Sequence, residues 1–240
     1  MIVEPQVRLI AHTTIDADAI SELMEIQPAS TDVETLVTFA GRSCYESWHR
    51  PSEATRDDAD YINRTIFQQH HGSILEHATA TLYFTGVSRA FLTELTRHRH
   101  LSFSVRSQRF VNESGANIVL PPALRNLDSQ IVYDSADFYD DLVGPPAEAL
   151  EWWFEDALIN YAKLVTELED SGVKRKQARE AARAVLPSMV ETKMVVTGNL
   201  RAWLQVIERR TAPDADAELQ EVMGMARDVL KPLAPSIFKD

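Results

Sequence analysis

The sequence predicts an α+β fold with a largely antiparallel sheet and long helices, on three observations. Short stretches of strand character are interspersed with longer amphipathic ones, no βαβ rhythm connects them, and no glycine-rich turn leads from a strand into a helix. With 45% hydrophobic and 25% charged side chains, the 240 residues can build a sizeable core without disulfides or a structural metal. No repeat, low-complexity tract or linker divides the chain, so a single domain over 1–240 is expected.

The elements follow in order. VRLIAHT (7–13) alternates enough for a first strand, and STDVETLVTFAGRSCY predicts a helix from near Ser30 to about Gly41. After the loop WHRPSEATRD, a helix covers about 57–70 with Tyr61, Ile62 and Ile66 on one face, and His71-Gly72-Ser73 breaks it. HATATLYFTG (77–86) sets Thr79, Thr81 and Tyr83 against Ala80, Leu82 and Phe84, the period-two pattern of a strand. Ser88 is placed to cap a helix that Phe91, Leu92 and Leu95 carry on to about Arg99. NIVLPP (117–122) reads as a short strand closed by its prolines, and 123–147 as a loop stopped by Gly144-Pro145-Pro146. A long helix from Ala147 to about Asp170 ends at Gly172, and another over about 174–186 stops before Pro187. TKMVVTG (192–198) is a strand, Asn199 caps the next helix, and a last helix fills roughly 214–230.

Composition narrows the function. One cysteine, Cys44, rules out an intrachain disulfide and favours a reducing compartment. The start MIVEPQVRLIAHT lacks the basic and apolar regions of a signal peptide, and no apolar run approaches the roughly 20 residues that span a bilayer. A cytoplasmic protein without a membrane partner is expected. The net charge of −12 disfavours non-specific nucleic-acid binding. Two segments invert that sign: 97–109 carries four arginines, two histidines and no acid, and 174–183 five basic side chains against one glutamate. Two cationic patches on an acidic body point to a compact anion site, such as one for a small phosphorylated ligand.

Three anomalies supply candidate residues. On a helix 88–99, His98 and Arg99 continue the stripe of Phe91, Leu92 and Leu95, where unpaired charges are costly. A helix carboxyl end accommodates one or two cations, but RHRH followed by Ser102, Ser104, Arg106, Ser107 and Arg109 is better read as an anion-binding loop. On the helix after Asn199, Leu200, Trp203, Leu204 and Ile207 form an apolar face, and Arg210 lies on it. Such an arginine is either a snorkelling side chain at a helix end or a fixed cation that stabilises a developing oxyanion; the helix alone leaves both open. Arg175, Arg179 and Arg183 follow at i+4 along one edge, ordinarily a solvated face, with Arg183 nearest the core. Five histidines, His70, His71, His77, His98 and His100, fall in two segments, yet they lack metal-ligand spacing and have arginine neighbours, so no metal is expected. GRSCYESW shows no base beside Cys44, and neither G-x-G-x-x-G, Walker A nor G-x-S-x-G occurs.

RHRHLSFSVRSQR resembles the signature of the flavin-dependent thymidylate synthases (ThyX): Arg97-His98-Arg99, seven residues, then Ser107, with Ser102 and Arg109 fitting its extended form. The similarity runs on through TFAGRSCYESW (38–48), GSILEHATATLYFTGVSRA (72–90), RKQAREAARAVLP (175–187) and VVTGNLRAW (195–203), while 14–34 and 123–170 match loosely. The resemblance implies an α+β fold unrelated to the Rossmann type, with FAD bound between subunits of a homotetramer. By position it implies that Arg97, His98 and Arg99 contact the flavin together with Ser73, His71, Gln205 and the turn Asn199-Leu200-Arg201. It further implies that Glu94, Arg97, Ser107, Gln108, Arg109 and Arg183 hold dUMP, and that Arg210 activates the uracil ring by stabilising negative charge at N3/O2.

The implied reaction is reductive methylation of dUMP to dTMP. NADPH reduces FAD, methylenetetrahydrofolate supplies the one-carbon unit, and tetrahydrofolate is the by-product. Val105 stands where relatives carry Gln or Glu, Arg106 where many are uncharged, Gln205 where His is frequent, and Pro213-Asp214 where Ser-His is frequent; weaker FAD retention on purification is the expectation. Other readings stay open. A flavoprotein of this fold with lost or altered methyl transfer would oxidise NADPH without making dTMP. A nucleotide- or RNA-binding module would bind polynucleotide in a steeply salt-dependent way without flavin. A ligand-free oligomer would use its arginines to bridge acidic neighbours.

Overall fold

The structure, a computed structural model, describes residues 1–49, 52–125, 127, 131–133 and 142–239. In chain order its elements are β1 (Gln6–His12), α1 (Ala17–Ser21), α2 (Asp32–Ser43), α3 (Asp58–Ile62), β2 (Thr79–Ser88), α4 (Arg89–Leu95), β3 (Ser102–Val105), β4 (Ile131–Tyr133), β5 (Leu142–Gly144), α5 (Pro146–Asp170), α6 (Arg175–Ala182), β6 (Glu191–Asn199), α7 (Leu200–Arg210) and α8 (Ala217–Leu230). An antiparallel sheet in the order β1-β2-β6-β3 and an antiparallel β4-β5 pair give the α+β class the sequence predicts. No helix among the described residues is long and apolar enough to cross a membrane.

Several elements differ from expectation, each for a local reason. The helix expected to reach Arg99 ends at Leu95, where the Thr96 N–H closes on Leu92 O. His98 and Arg99 therefore lie on the following turn, and the helical stripe that placed them is not formed. SFSV, expected as loop, is strand β3: Phe103 and Val105 are half-buried while Ser102 and Ser104 are exposed, a period-two pattern masked by its basic neighbours. The helix expected over 57–70 is α3, capped by Asp57, followed by a π-helical turn over Asn63–Gln68 and by His70 at φ 60°. Gly72–Glu76 then forms a 3-10 turn. The strand expected at 117–122 reduces to single bridges from Ile118 to Ile2 and Val190. The stretch 123–147, expected as loop, contains β4 and β5; residues 126, 128–130 and 134–141 lie outside the described ones. The helix expected over 174–186 is α6 followed by a 3-10 turn at Arg183–Val185.

The chain divides into two compact units. The first comprises Met1–Gln6, Thr85–Arg97 and Ser104–Met194. Here α5 packs on α6, and Phe154 joins Ala116, Ile118, Leu120 and Val190 in an apolar cluster. Gly86 adopts φ +65°, and a Cβ there would overlap the Glu4 carbonyl. Its N–H donates to Glu191 Oε1 at 3.1 Å, and Asn117 Nδ2 donates to Glu191 Oε2 at 2.8 Å, so this buried carboxylate is satisfied by hydrogen bonds. A second buried acid, Glu113, pairs with Arg106 at 3.0 Å, and its N–H donates to the buried Tyr161 hydroxyl at 3.3 Å. Burial pushes the Glu113 carboxyl above its ordinary pKa, and Arg106 and Arg89 pull it back.

The second unit comprises Val7–Phe84, His98–Phe103 and Val195–Asp240. Thr81 and Thr197 face each other across β2 and β6 with hydroxyls 2.9 Å apart. Asn199 ends β6 and caps α7 by accepting from Ala202 N at 2.8 Å. Leu200, Trp203, Val206 and Ile207 bury one face of α7. The Trp203 indole donates to Ala80 O at 3.0 Å, which satisfies the polar end of a fully buried ring. Opposite, α8 buries Leu219, Val222, Met223, Ala226 and Leu230. The carboxyl-terminal residues close over α2, with Ser236 N donating to the buried Glu34 at 2.6 Å. Burial raises the pKa of both Glu34 and Asp58.

Glu113→Ala leaves the mostly buried Arg106 guanidinium without its partner and should cost about 3 kcal/mol in urea unfolding; a loss below about 1 kcal/mol would show that the pair is not structural. Gly86→Ala should cost a comparable ~3 kcal/mol, because positive φ and the Glu4 overlap act together.

Candidate active site

The second unit holds a cleft of about 660 Å³ lined by Ile66, Leu75 and Leu204 as apolar wall and by His70, Glu76, His100, Asn199, Arg201 and Gln205 as polar rim. Of the residues expected at a flavin, Asn199, Arg201 and Gln205 thus share one cavity. Arg201 reaches across it to pair with Glu76. Leu200 is fully buried and gives its N–H to Ala78 O, so its side chain belongs to the core. Ser73 and His71 line a smaller cavity of about 260 Å³ with Gly41, Cys44, Tyr61 and Thr65. Arg99 is exposed on the turn after α4.

Arg210, the last residue of α7, is half-buried and donates from Nε to His98 Nε2 at 2.8 Å. The turn that carries His98 is closed by Leu101 N donating to His98 O at 3.1 Å. Leu101 is buried and passes so close to Gly198 that a Cβ there would overlap its Cδ2. Two residues expected to have separate roles are therefore in direct contact.

The first unit gathers the residues expected at the nucleotide, Arg210 excepted. Glu94 and Arg97 pair at 3.3 Å on α4 and the residues just after it. Ser107, Gln108 and Arg109 follow β3: Arg109 N donates to Ser107 Oγ at 3.4 Å, and its side chain pairs with Glu180 at 3.5 Å. Gln108 is buried and accepts at Oε1 from Arg89 Nη2 at 3.1 Å. Arg89 also donates from Nη1 to Arg106 O and Thr192 Oγ1. Burial lowers the Arg89 pKa; Glu113 opposes the shift, while Arg183 and Arg106 add to it by like-charge repulsion. Arg183 itself is exposed at the start of its 3-10 turn. Arg89 thus feels like-charge repulsion from Arg183 and Arg106, while the buried Glu113 is held by Arg106 and Arg89.

Arg106 does not reach out for a ligand: Glu113 holds it at 3.0 Å. Arg89 was missed in sequence because it sits inside an ordinary helix start; its signal was its place directly after the cap Ser88. Cys44 is exposed and lines the cavity of His71 and Ser73.

The family described as thymidylate synthase complementing protein matches residues 26–236. A probable flavin-dependent thymidylate synthase of Mycobacterium phage L5 is 44% identical, covering 97% of this chain and 96% of its own. A flavin-dependent thymidylate synthase of Mycobacteroides abscessus is 42% identical over 88% of this chain and 82% of its own. Among solved structures, a UMP/dUMP methylase, PolB, of Streptomyces cacaoi bound with 5-Br dUMP matches with TM-score 0.68 at 23% identity, over 98% of this chain and 93% of that one. Thymidylate synthase X of Helicobacter pylori with FAD and dUMP matches with TM-score 0.64 at 20% identity, over 99% of this chain and 100% of that one; at these identities the likeness is one of fold. With a basic loop, an arginine on an apolar helix face and the family match over most of its length, this chain belongs to the thymidylate synthase complementing protein family, that of its flavin-dependent thymidylate synthase relatives.

Proposed function

We propose that the chain is a flavin-dependent thymidylate synthase that converts dUMP to dTMP in the cytoplasm, acting through 1–240 as one catalytic domain. The observation that carries the reading is Arg210: an always-charged guanidinium at the end of an apolar helix face, held at Nε by the motif histidine His98. A cation fixed in that way stabilises negative charge as it develops on a ring carbonyl.

The residues of the larger cleft fit a flavin nucleotide. Ile66, Leu75 and Leu204 offer apolar surface to an aromatic ring, Asn199 and Gln205 offer amide hydrogen bonds, and Arg201 offers a guanidinium for phosphate. Bound FAD, reduced by NADPH, would supply the reducing equivalent that completes the methyl group, with methylenetetrahydrofolate as the carbon donor and tetrahydrofolate released. The chain's own residues do the rest. Ser107, Arg109 and Arg183 hold the phosphate of dUMP, Gln108 is kept in place by Arg89, and Arg97 with Glu94 orients the nucleotide. Arg210 withdraws charge from N3/O2 of the uracil. Ser73, His71, Arg97, His98 and Arg99 complete the flavin contacts, and the active form is a homotetramer with the flavin sites between subunits. Exposed Phe110, Trp153 and Ile159 supply apolar surface of the kind such assembly covers.

Purified protein should be yellow, and dUMP should yield dTMP only when methylenetetrahydrofolate and NADPH are both present; polynucleotide binding without flavin would instead select a nucleic-acid module. Arg183→Ala removes a charge-assisted phosphate contact and should raise the KM for dUMP about tenfold to a hundredfold with kcat little changed. An unchanged KM would remove Arg183 from the site.

A further inference from the structure

We infer that His98 is a positioning residue for Arg210: its neutral imidazole, with the proton on Nδ1, fixes the plane of the Arg210 guanidinium. This rests on the proposed role of Arg210 and goes beyond it, because it gives the motif histidine a task distinct from touching flavin.

The geometry is specific. Arg210 Nε carries a hydrogen that a guanidinium does not give up, so at 2.8 Å His98 Nε2 is the acceptor. A neutral ring that accepts at Nε2 bears its proton at Nδ1, which settles the tautomer. Nε lies in the guanidinium plane, so a bond there fixes the rotation of the fork and hence the direction of both terminal amino groups.

Both ends of the contact are anchored. His98 lies on a turn closed by Leu101 N to His98 O, and buried Leu101 rests over Gly198 in the last residues of β6. At the far end of α7, Thr211 Oγ1 donates to Ile207 O at 2.9 Å beside Arg210. The same short turn thus meets the end of β6 through Leu101 and the end of α7 through His98. Gly198 and His98 are parts of one device: the glycine admits the turn, and the turn delivers the imidazole.

The test combines His98→Ala, His98→Gln and Arg210→Lys in a double-mutant cycle, reading kcat, KM for dUMP, flavin content and the ring nitrogens of His98 by ¹⁵N NMR. Glutamine offers a carbonyl acceptor at similar reach, whereas alanine offers none. Per bound flavin, His98→Ala should lower kcat about tenfold to a hundredfold with the KM for dUMP little changed, and His98→Gln should recover most of that loss. On the Arg210→Lys background, which lacks the Nε–H, His98→Ala should add less than about twofold. In the wild type the ring signals should report a neutral Nδ1–H tautomer, and Arg210→Lys should shift them. Additive losses in the cycle, or loss of flavin in step with activity in both His98 variants, overturn the inference and leave His98 a flavin contact. If His98→Ala fails to fold, His98→Gln and the ring signals decide alone. Failure of the proposed synthase activity is separately visible, because wild-type protein would then make no dTMP whatever the His98 tautomer.

Discussion

A guanidinium keeps its charge wherever the fold carries it, and the partners that this demands organise the molecule. In the first unit Arg106 approaches the interior and meets the buried Glu113, while Arg89 spends its donors on Gln108, Thr192 and a backbone carbonyl. In the second unit Arg210 reaches the apolar face of α7 and donates from Nε to an imidazole. The difference matters chemically. A carboxylate brings an opposite charge to its partner, whereas a neutral imidazole orients a cation without adding charge of its own. Arg106, paired with Glu113, is a scaffold, and Arg210 is oriented at Nε by an imidazole.

Both arms rest on the same local construction. In β2 the strand runs into α4 through Ser88, whose hydroxyl accepts from Phe91 N at 2.9 Å, and in β6 the strand runs into α7 through Asn199 in the same way. A strand that ends in a side-chain cap needs no loop, so the helix start is as fixed as the sheet it leaves. Arg89 and Arg201 sit at the first or second position after their caps and inherit that rigidity. Sites built on elements hold their geometry better than sites built on loops, and here the loop-borne residues Ser107 to Arg109 are tied back by Arg89 and by Arg179, which donates to Phe110 O.

Much of this was legible in the residues. The period-two runs of β2 and β6, the caps Ser88 and Asn199, and the apolar face of α7 are local signals, and the folded elements follow them closely. The limits of α4 were not legible, because Leu95-Thr96-Arg97 carries no proline or glycine; the stop is set by the chain's return into β3 as a sheet partner, a tertiary demand. For the same reason Ser102–Val105 read as a polar loop until its half-buried Phe103 and Val105 had a neighbour to face. Of the site, the motif residues were named from sequence, but the Arg89–Gln108 and His98–Arg210 contacts were not, since they join positions 19 and 112 residues apart through the fold alone.

The His98–Arg210 contact bears on how methylation proceeds without a cysteine nucleophile. Cys44 is exposed and lines the smaller cavity, while its Sγ is turned back to Ala40 O at 3.4 Å, so its thiol is spent on its own helix. In the proposed reaction activation of the uracil comes from charge, and a fixed donor at a developing oxyanion is worth about 3–4 kcal/mol only if it need not reorganise as the charge appears. An arginine side chain has about 2 kcal/mol of rotamer entropy to lose, enough to erase much of that benefit if the loss fell during the reaction. Fixing Nε in the folded chain shifts the loss to folding, where the buried face of α7 offsets it: Leu200 and Trp203 are fully buried, and the Trp203 indole donates to Ala80 O. Seen this way, the apolar stripe that made Arg210 look misplaced in sequence is what allows its charge to act.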